Sequence, residues 1–436
     1  MRRLLCLGLL TCVSLSAQVA PIPASTQLSG DPFFVKKTWF IGGAGNWDYL
    51  TIDSAAQRLY IAHGPVVQVV DLGSGDLIAQ ISGFVEAHSV ALDDTGAYAY
   101  VSDGRADAVD VVDRRRLAID STIPIHCSPR SIAFEPNSKL VFAICGANTA
   151  IPTAPKPPVR PRAAGSSRTM PPTETPEQPE LSGISHVVVI DTEKKNVIAD
   201  LAVAGDFRFA QADGDGNVYV SVGEAHQNWL ENGKAVHADL PQRVARLDGP
   251  AVAASAHRQL DAQSSPTPSP IQPVHFDWSR NANPGAELRF IPLRSGCANP
   301  QGLDVDSRHL RLFLACGDQK LLVLNAGAGD PVASLTTGPG DEAIAYDRDR
   351  GLIFVANGAG YGSVTIIRQD AVTDSYSVIQ NLPTRERART LAVDSSTGEV
   401  YLVTDYNGVD LTKTGGIGTL QMTPVQGSFQ VLAIGH

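Results

Sequence analysis

Seven polar residues recur at one position of a repeated pattern and are candidates for a chemical site. Each lies five residues before an acidic residue that ends a short run built mainly from Val, Ile, Leu and Ala. These ring residues are Asp48, His88, Arg130, Arg208, Gln301, Glu342 and Arg389. The three arginines and His88 could hold a carboxylate or a phosphate through paired hydrogen bonds. Asp48 and Glu342 could ligate a metal or transfer a proton, although no motif or spacing supports either role.

The same pattern has a simpler interpretation. If the ring residues surround the mouth of a channel, that mouth must be hydrated, and its carboxylates and guanidiniums would neutralise one another. The sequence contains no nucleophile elbow, zinc-protease motif, phosphate-binding loop, dinucleotide fingerprint or haem-attachment motif. Glu224, His226 and His237 share one segment, but the spacing of its two histidines does not favour a metal site. We therefore predict no cofactor and no metal.

The acids that end the apolar runs define an internal repeat, which positions the ring residues. They are Asp53, Asp93, Glu135, Asp213, Asp306, Asp347 and Asp394. Neighbouring acids are 40 to 47 residues apart where no insertion intervenes, and a second β-rich run follows each turn. Four short antiparallel strands in about 40 residues are typical of one propeller blade. We therefore predict an all-β fold, a seven-bladed β-propeller of four-stranded antiparallel blades.

The two ends of the repeat array predict how the blades close into a ring. Residues 33–41 read as a strand before the first unit, whereas the last unit ends one strand short at residues 429–434. A propeller must hide its open strand edges. We therefore expect residues 33–41 to pair with the C-terminal blade as its outer strand.

The chain divides into a leader and one domain that carries insertions. Residues 1–20 combine two arginines with a short apolar run and small residues, which predicts a secretory signal peptide. The propeller is expected to span residues 33–436. Residues 147–183 form a Pro-rich insertion in blade three that we expect to be disordered. Residues 224–286 hold two insertions in blade four, of which we expect the second to be irregular.

Four cysteines remain after the leader, and their spacing predicts two disulfides. Cys127 precedes the first strand of its unit and Cys145 ends the second, and Cys297 and Cys316 repeat this arrangement. An antiparallel hairpin brings these ends together, so each pair can form a bond without distorting the sheet. A metal site is the alternative, but neither pair has the close Cys or His partners that zinc requires. Disulfides and a leader together predict a periplasmic or secreted protein.

Charge limits the class of partner. The formal net charge is −10, and loss of the leader would make the chain more negative. Nucleic acid is a poor partner for such a surface, because phosphate binding needs clustered Lys and Arg. We expect no membrane span and a monomer, and the partner is an unknown protein or a small polar or anionic ligand.

Several units resemble the YVTN-type propeller repeat, in which a strand ending in Asp precedes a turn, a YV-containing strand and a V-x-V-I-D strand. The similarity is carried by RLYIAHGPVVQVVDLGSGDLIAQI at residues 58–81, AYVSDGRADAVDVVD at residues 99–113 and SHVVVIDTEKKNVIADL at residues 185–201. The C-terminal half is similar to the exported bacterial YncE-like proteins. The resemblance implies the propeller fold, and it supplies no catalytic motif that these residues match.

Two hypotheses for function follow. In a propeller, the ring residues, the cysteine ends and the connections between second and third strands lie on one face, and loops on a rigid scaffold often carry function. The first hypothesis is an exported, non-catalytic propeller that binds a ligand or a protein through this loop-rich face. The alternative is a propeller enzyme of the hydrolase, lactonase or quinoprotein-related kind, with a polar site at the channel mouth. We favour the first because no catalytic motif is present.

Overall fold

The repeated acids form the turns that join the first strand of each unit to the second. In the computed structural model all seven are buried, and their carboxylates accept hydrogen bonds from N–H groups of the turn. Asp53, for example, accepts the Ala56 N–H at 3.0 Å, and Asp213 accepts the Asn217 N–H at 2.9 Å. A tight turn leaves these N–H groups without partners in the sheet, so an acid at this position stabilises it.

The structure describes most of the chain. The described residues are 31–43, 46–147, 183–231, 234–263, 272–279, 285–409 and 422–436. The predicted signal peptide lies outside them, as does the Pro-rich insertion except for its end residues Ala147 and Gly183. Among the helices in these ranges, none is long and apolar enough to cross a membrane.

The N-terminal units form one continuous sheet. The strands of this region are β1 (Phe34–Phe40), β2 (Leu50–Asp53), β3 (Arg58–Asp71), β4 (Leu77–Leu92), β5 (Tyr98–Asp103), β6 (Ala108–Asp113) and β7 (Ala118–Pro124). Strands β2 to β7 are neighbours in sequence order. Strands β3 and β4 have 14 and 16 residues, and each replaces two predicted strands. The first part of β4 pairs with β3 and its last part pairs with β5.

The prediction of seven separate blades was therefore wrong. The described chain contains six sheets of four or more strands. The hairpins that turn at Asp53 and Asp93 share one of these sheets, because residues 82–88 stay extended and carry β4 from one unit into the next. Gly64 of β3 also pairs with Ala87 of β4, which joins the two units. The all-β propeller architecture is confirmed, with six blades in place of seven.

The middle of the chain contains the insertions. Its elements are β8 (Pro129–Glu135), β9 (Leu140–Cys145), β10 (Ile184–Asp191), β11 (Asn196–Ala204), β12 (Asp206–Ala212), β13 (Asn217–Gly223), β14 (Ala225–Glu231), β15 (Lys234–Leu240), β16 (Arg243–Asp248), α1 (Gly249–Gln263), β17 (Val274–Trp278) and β18 (Leu288–Pro292). Strands β8 to β11 and β17 form one sheet, and β12, β13, β16 and β18 form the next. Strands β14 and β15 form a separate hairpin.

The described parts of the second insertion are ordered where we expected irregular structure, whereas most of its Pro-rich stretch, residues 264–271, lies outside the described residues. Helix α1 buries Val252 and Ala256, which are four residues apart on one face, in a core that also contains Val274 and Trp278 of β17. Strand β17 pairs in parallel with β11 and extends the preceding sheet. The sequence hid this helix because its buried face uses small alanines, which give a weak apolar period despite good helix propensity.

The C-terminal half contains the most regular sheets. Its strands are β19 (Pro300–Asp306), β20 (Arg311–Cys316), β21 (Lys320–Asn325), β22 (Pro331–Thr336), β23 (Asp341–Asp347), β24 (Leu352–Asn357), β25 (Ser363–Asp370), β26 (Ser375–Pro383), β27 (Leu391–Asp394), β28 (Glu399–Thr404), β29 (Asn407–Val409), β30 (Met422–Pro424) and β31 (Gln430–Gly435). Strands β19 to β22 and β23 to β26 form two four-stranded sheets, and β29 pairs with β30.

Pairing of the chain ends closes the propeller as predicted. Strand β1 pairs antiparallel with β31, and the sheet order is β1, β31, β28, β27. Phe33 packs edge-on against Phe354 of the neighbouring sheet at 5.6 Å between ring centroids. The apolar core lies between facing sheets. For example, Val244 of β16 and Leu312 of β20, which belong to different sheets, are part of one buried cluster.

Both predicted disulfides are present. Cys127 and Cys145 have a Cα–Cα distance of 6.1 Å, and Cys297 and Cys316 have one of 5.2 Å. In each pair, the first cysteine precedes an innermost strand, β8 or β19. The second cysteine ends the strand that pairs with it, β9 or β20. Two disulfides fit an oxidising compartment.

The disulfides should contribute measurably to stability. They close loops of 18 and 19 residues, for which chain entropy predicts about 3 kcal/mol each. We expect the variant C297A/C316A to lose about 3 kcal/mol of unfolding free energy in urea titrations. A variant with an unchanged midpoint and slope would contradict this, and C127A/C145A provides the matched comparison.

Candidate functional site

The structure places the ring residues at or just before the start of the innermost strands. Arg130, Arg208, Gln301 and Glu342 lie at the beginnings of β8, β12, β19 and β23. Asp48 and Arg389 precede β2 and β27 by two residues, and His88 lies within β4. A common position in the repeat therefore becomes a common level in the fold, at the end of the channel opposite the acidic turns.

Several ring residues form ion pairs, mostly with other acids of the same face. His88 Nδ1 lies 2.9 Å from Asp48 Oδ2, and Arg389 Nε lies 3.7 Å from Glu342 Oε2. Arg208 Nε donates to Asp206 Oδ2 at 2.8 Å. These contacts support the simpler interpretation, in which the carboxylates and guanidiniums neutralise one another.

Arg130 and Gln301 differ from the others. Arg130 is exposed and Gln301 is half-buried. Neither side chain makes a hydrogen bond or an ion pair with any residue that the structure describes. Arg130 is therefore the ring arginine whose guanidinium is open to a ligand.

Tyr49 lies among the charges of the ring. Burial raises the pKa of Tyr49 well above its ordinary value, and the carboxylates of Asp48 and Glu342 raise it further, whereas the guanidiniums of Arg389 and Arg208 oppose them. These four ring residues therefore act on one phenol. Tyr49 consequently remains a neutral hydroxyl near neutral pH.

Glu342 responds to the same surroundings. Burial raises the pKa of Glu342, Arg389 lowers it and the nearby charge of Asp48 raises it. The two ring carboxylates are thus close enough to repel one another. The groups that could hold a metal at the ring are these two carboxylates and His88, but the described residues contain no cluster of three ligands arranged for one.

An aromatic contact separates the ring from the channel interior. Tyr49 and Phe209 follow ring residues Asp48 and Arg208, and their ring centroids are 4.8 Å apart across the channel. Beyond them lies a cavity of about 620 Å³ that residues from all seven innermost strand segments line. No ring residue lines this cavity. The ring residues and the residues that line the cavity are therefore two separate sets.

Sequence reasoning missed the glycines that make room for the ring. A Cβ on Gly104 would lie 2.6 Å from His88 Nε2, and a Cβ on Gly223 would lie 2.6 Å from the Arg208 guanidinium. A Cβ on Gly358 would lie 2.7 Å from the Cβ of Arg389. A signal for them exists, because the second strands end in VSDG, VSVG and VANG.

Sequence reasoning also missed an arginine-rich segment before β27. Arg385 lies over the Tyr406 ring at 4.9 Å, and Arg387 lies over the Trp47 ring at 4.8 Å. The alternation of arginines in RERAR at residues 385–389 was the available signal. Arg387 also pairs with Asp405 at 3.3 Å and donates to Asn407, so Arg385 is the arginine of this stacked pair whose edge can bind an anion.

The Arg389–Glu342 pair gives a testable electrostatic prediction. Arg389 favours the charged form of Glu342, so the variant R389A should raise the pKa of the Glu342 carboxyl further above its usual range. A ¹³C NMR titration of the side-chain carboxyl measures this shift. The variant R130A is the control, since Arg130 is not among the charges that act on Glu342. A Glu342 pKa that falls or stays unchanged in R389A would show that the two groups are not coupled.

Comparison with known proteins identifies the fold. Neither a protein-family model nor a curated protein matches the chain. Similar solved structures include Kuenenia stuttgartiensis hydrazine synthase, at 12% identity and a TM-score of 0.54, covering 88% of this chain and 97% of that one. U3-55K is 8% identical with a TM-score of 0.52, and the match covers 90% of this chain and 97% of that one. The WD40 repeats of RRP9 are also 8% identical with a TM-score of 0.52, and the match covers 91% of this chain and 96% of that one. At these identities the likeness shows that the chain has a β-propeller fold, and the YVTN-type assignment stays a prediction.

Proposed function

We propose that this protein is an exported, non-catalytic propeller that binds a protein partner through its ring face. We define the ring face as the ring residues together with Tyr361, Arg385, Arg387 and Tyr406. The proposal rests on one observation: most ring charges are paired, whereas Arg130, Tyr361 and Tyr406 are exposed on the same face. Arg and Tyr are the residue types that most often dominate the binding energy of interfaces.

The exposed aromatic residues support a protein partner. Tyr361, in the loop between β24 and β25, has a relative exposure of 96%, and Tyr406 has one of 38%. Arg385 stacks on Tyr406, and its guanidinium together with that of Arg130 can pair with carboxylates. A segment that combines acidic and apolar side chains would therefore match this face. A small polar or anionic ligand at the ring is the simpler form of the same proposal.

Loss of the Tyr361 and Arg385 side chains should abolish partner binding. We expect affinity capture from a periplasmic extract, followed by mass spectrometry, to recover a partner with the native protein and not with Y361A/R385A. The double variant V372A/R115A is the matched control, because Val372 is also 96% exposed and both residues lie outside the ring face. Recovery of the same proteins with Y361A/R385A as with the native chain would contradict the proposal.

One observation favours the enzyme alternative. Asp48 orients His88 through Nδ1, and both His88 Nε2 and Ser128 Oγ lie within 3.3 Å of the point where a Cβ on Gly104 would stand. A carboxylate, an imidazole and a hydroxyl in this order are the groups of a serine hydrolase, although the structure shows no Ser–His hydrogen bond. Ester hydrolysis that S128A and H88A both abolish would establish this alternative, and turnover that neither affects would remove it.

A further inference from the structure

The channel interior contains a second group of charged residues, at the end opposite the ring. The cavity of about 620 Å³ is lined by Asp304, Arg308, Arg348 and Asp349. Arg308 and Arg348 lie in the turns that follow Asp306 and Asp347, where the innermost strands end. Tyr49 and Phe209 meet at the other end. A ligand would therefore reach this cavity past the two arginines.

These arginines differ from their neighbours because neither forms an ion pair, although the charge of Arg348 acts on the nearby carboxylate of Asp304. Arg311 is paired with Asp374 at 2.6 Å and Arg350 is paired with Asp347 at 2.9 Å. Arg308 and Arg348, in contrast, make no ion pair or hydrogen bond with any residue in the described parts of the chain. On a protein with a net charge of −10, two such guanidiniums at one opening make a local site for an anion.

The walls of the cavity are suited to hydroxyl groups. Thr51, Ser89 and Gln211 line it together with the channel-facing edges of the innermost strands, which carry backbone N–H and C=O groups. Asp304 accepts the Tyr346 N–H at 2.8 Å through Oδ2 and keeps further lone pairs. Burial raises the pKa of Asp304 to about 6, while Arg348 lowers it, so this carboxylate is ionised at neutral pH and can accept a hydrogen bond.

We propose that the channel cavity binds a small hydroxylated organic anion. Its carboxylate lies between Arg308 and Arg348, and its hydroxyls donate to Asp304 and to the strand edges. The volume is within the range of about 300–1,000 Å³ that is usual for small-molecule sites. This site is separate from the ring face, and the inference does not depend on the function proposed for that face.

The inference is tested by calorimetric titration of the mature protein with D-glucuronate, D-gluconate and citrate. Methyl glucoside is the neutral comparison. We expect at least one of the three anions to bind and the neutral glycoside not to bind. The variant R308Q/R348Q, which removes two guanidiniums that form no ion pair and keeps polar side chains, should lose at least about tenfold in affinity while its melting temperature stays unchanged.

The control variant is R115A/R116A. It removes the same charge from an outer turn, at two exposed residues that do not line the cavity. We expect it to bind the anion as the native protein does. The inference is overturned if none of the three anions binds up to about 10 mM, if the neutral glycoside binds equally well, or if both double variants lose affinity alike. Binding that is retained in R308Q/R348Q and lost in R130A would place the anion at the ring.

Discussion

Closing the innermost strands around a narrow channel imposes the constraint on which the rest of the structure depends. Each of these strands has one edge in its sheet and one edge facing the channel, where its backbone groups have no strand partner. Side chains from the neighbouring unit supply some of the missing bonds. Ser131 Oγ accepts the Ala210 N–H at 3.0 Å, and Thr51 Oγ1 donates to the Val90 carbonyl at 2.6 Å. Because these bonds cross from one unit to the next, they fix the spacing of the units as well as satisfying the backbone.

Close approach of the units determines which residues fit at the channel. A Cβ on Gly302 would lie 2.5 Å from the Glu342 carbonyl oxygen, so a glycine is required where the strand of Gln301 passes that of Glu342. Tyr49 and Phe209 fill the same level from opposite sides. The result is a division of the channel: charged residues at one mouth, a polar cavity beyond the aromatic contact, and unpaired arginines at the other end. The proposed protein-binding face and the proposed anion site lie in different parts of that division.

The sequence was informative wherever one residue type served one local purpose. The acids at the turns, the paired cysteines and the strand before the first unit each predicted their structural role, because each depends on short-range geometry. The blade count failed because it depends on whether residues 82–88 bend or stay extended, and composition does not decide this. Helix α1 was missed because its buried face is built largely from small side chains, which give a weak apolar period. The pairing of Arg208 with Asp206 and of His88 with Glu86 was not predicted, because it depends on strands β12 and β4 extending far enough to include residues two positions before the ring.

Residue-resolved hydrogen exchange of the channel-edge amides tests the central claim most directly. If neighbouring units satisfy the open edges, the Ala210 and Tyr346 amides should exchange slowly although they face the channel. In S131A the Ala210 amide should then exchange faster while the Tyr346 amide keeps its rate, and D304A should show the reverse. Exchange rates that do not change in either variant would contradict the account, because the edges would then be protected without these side chains.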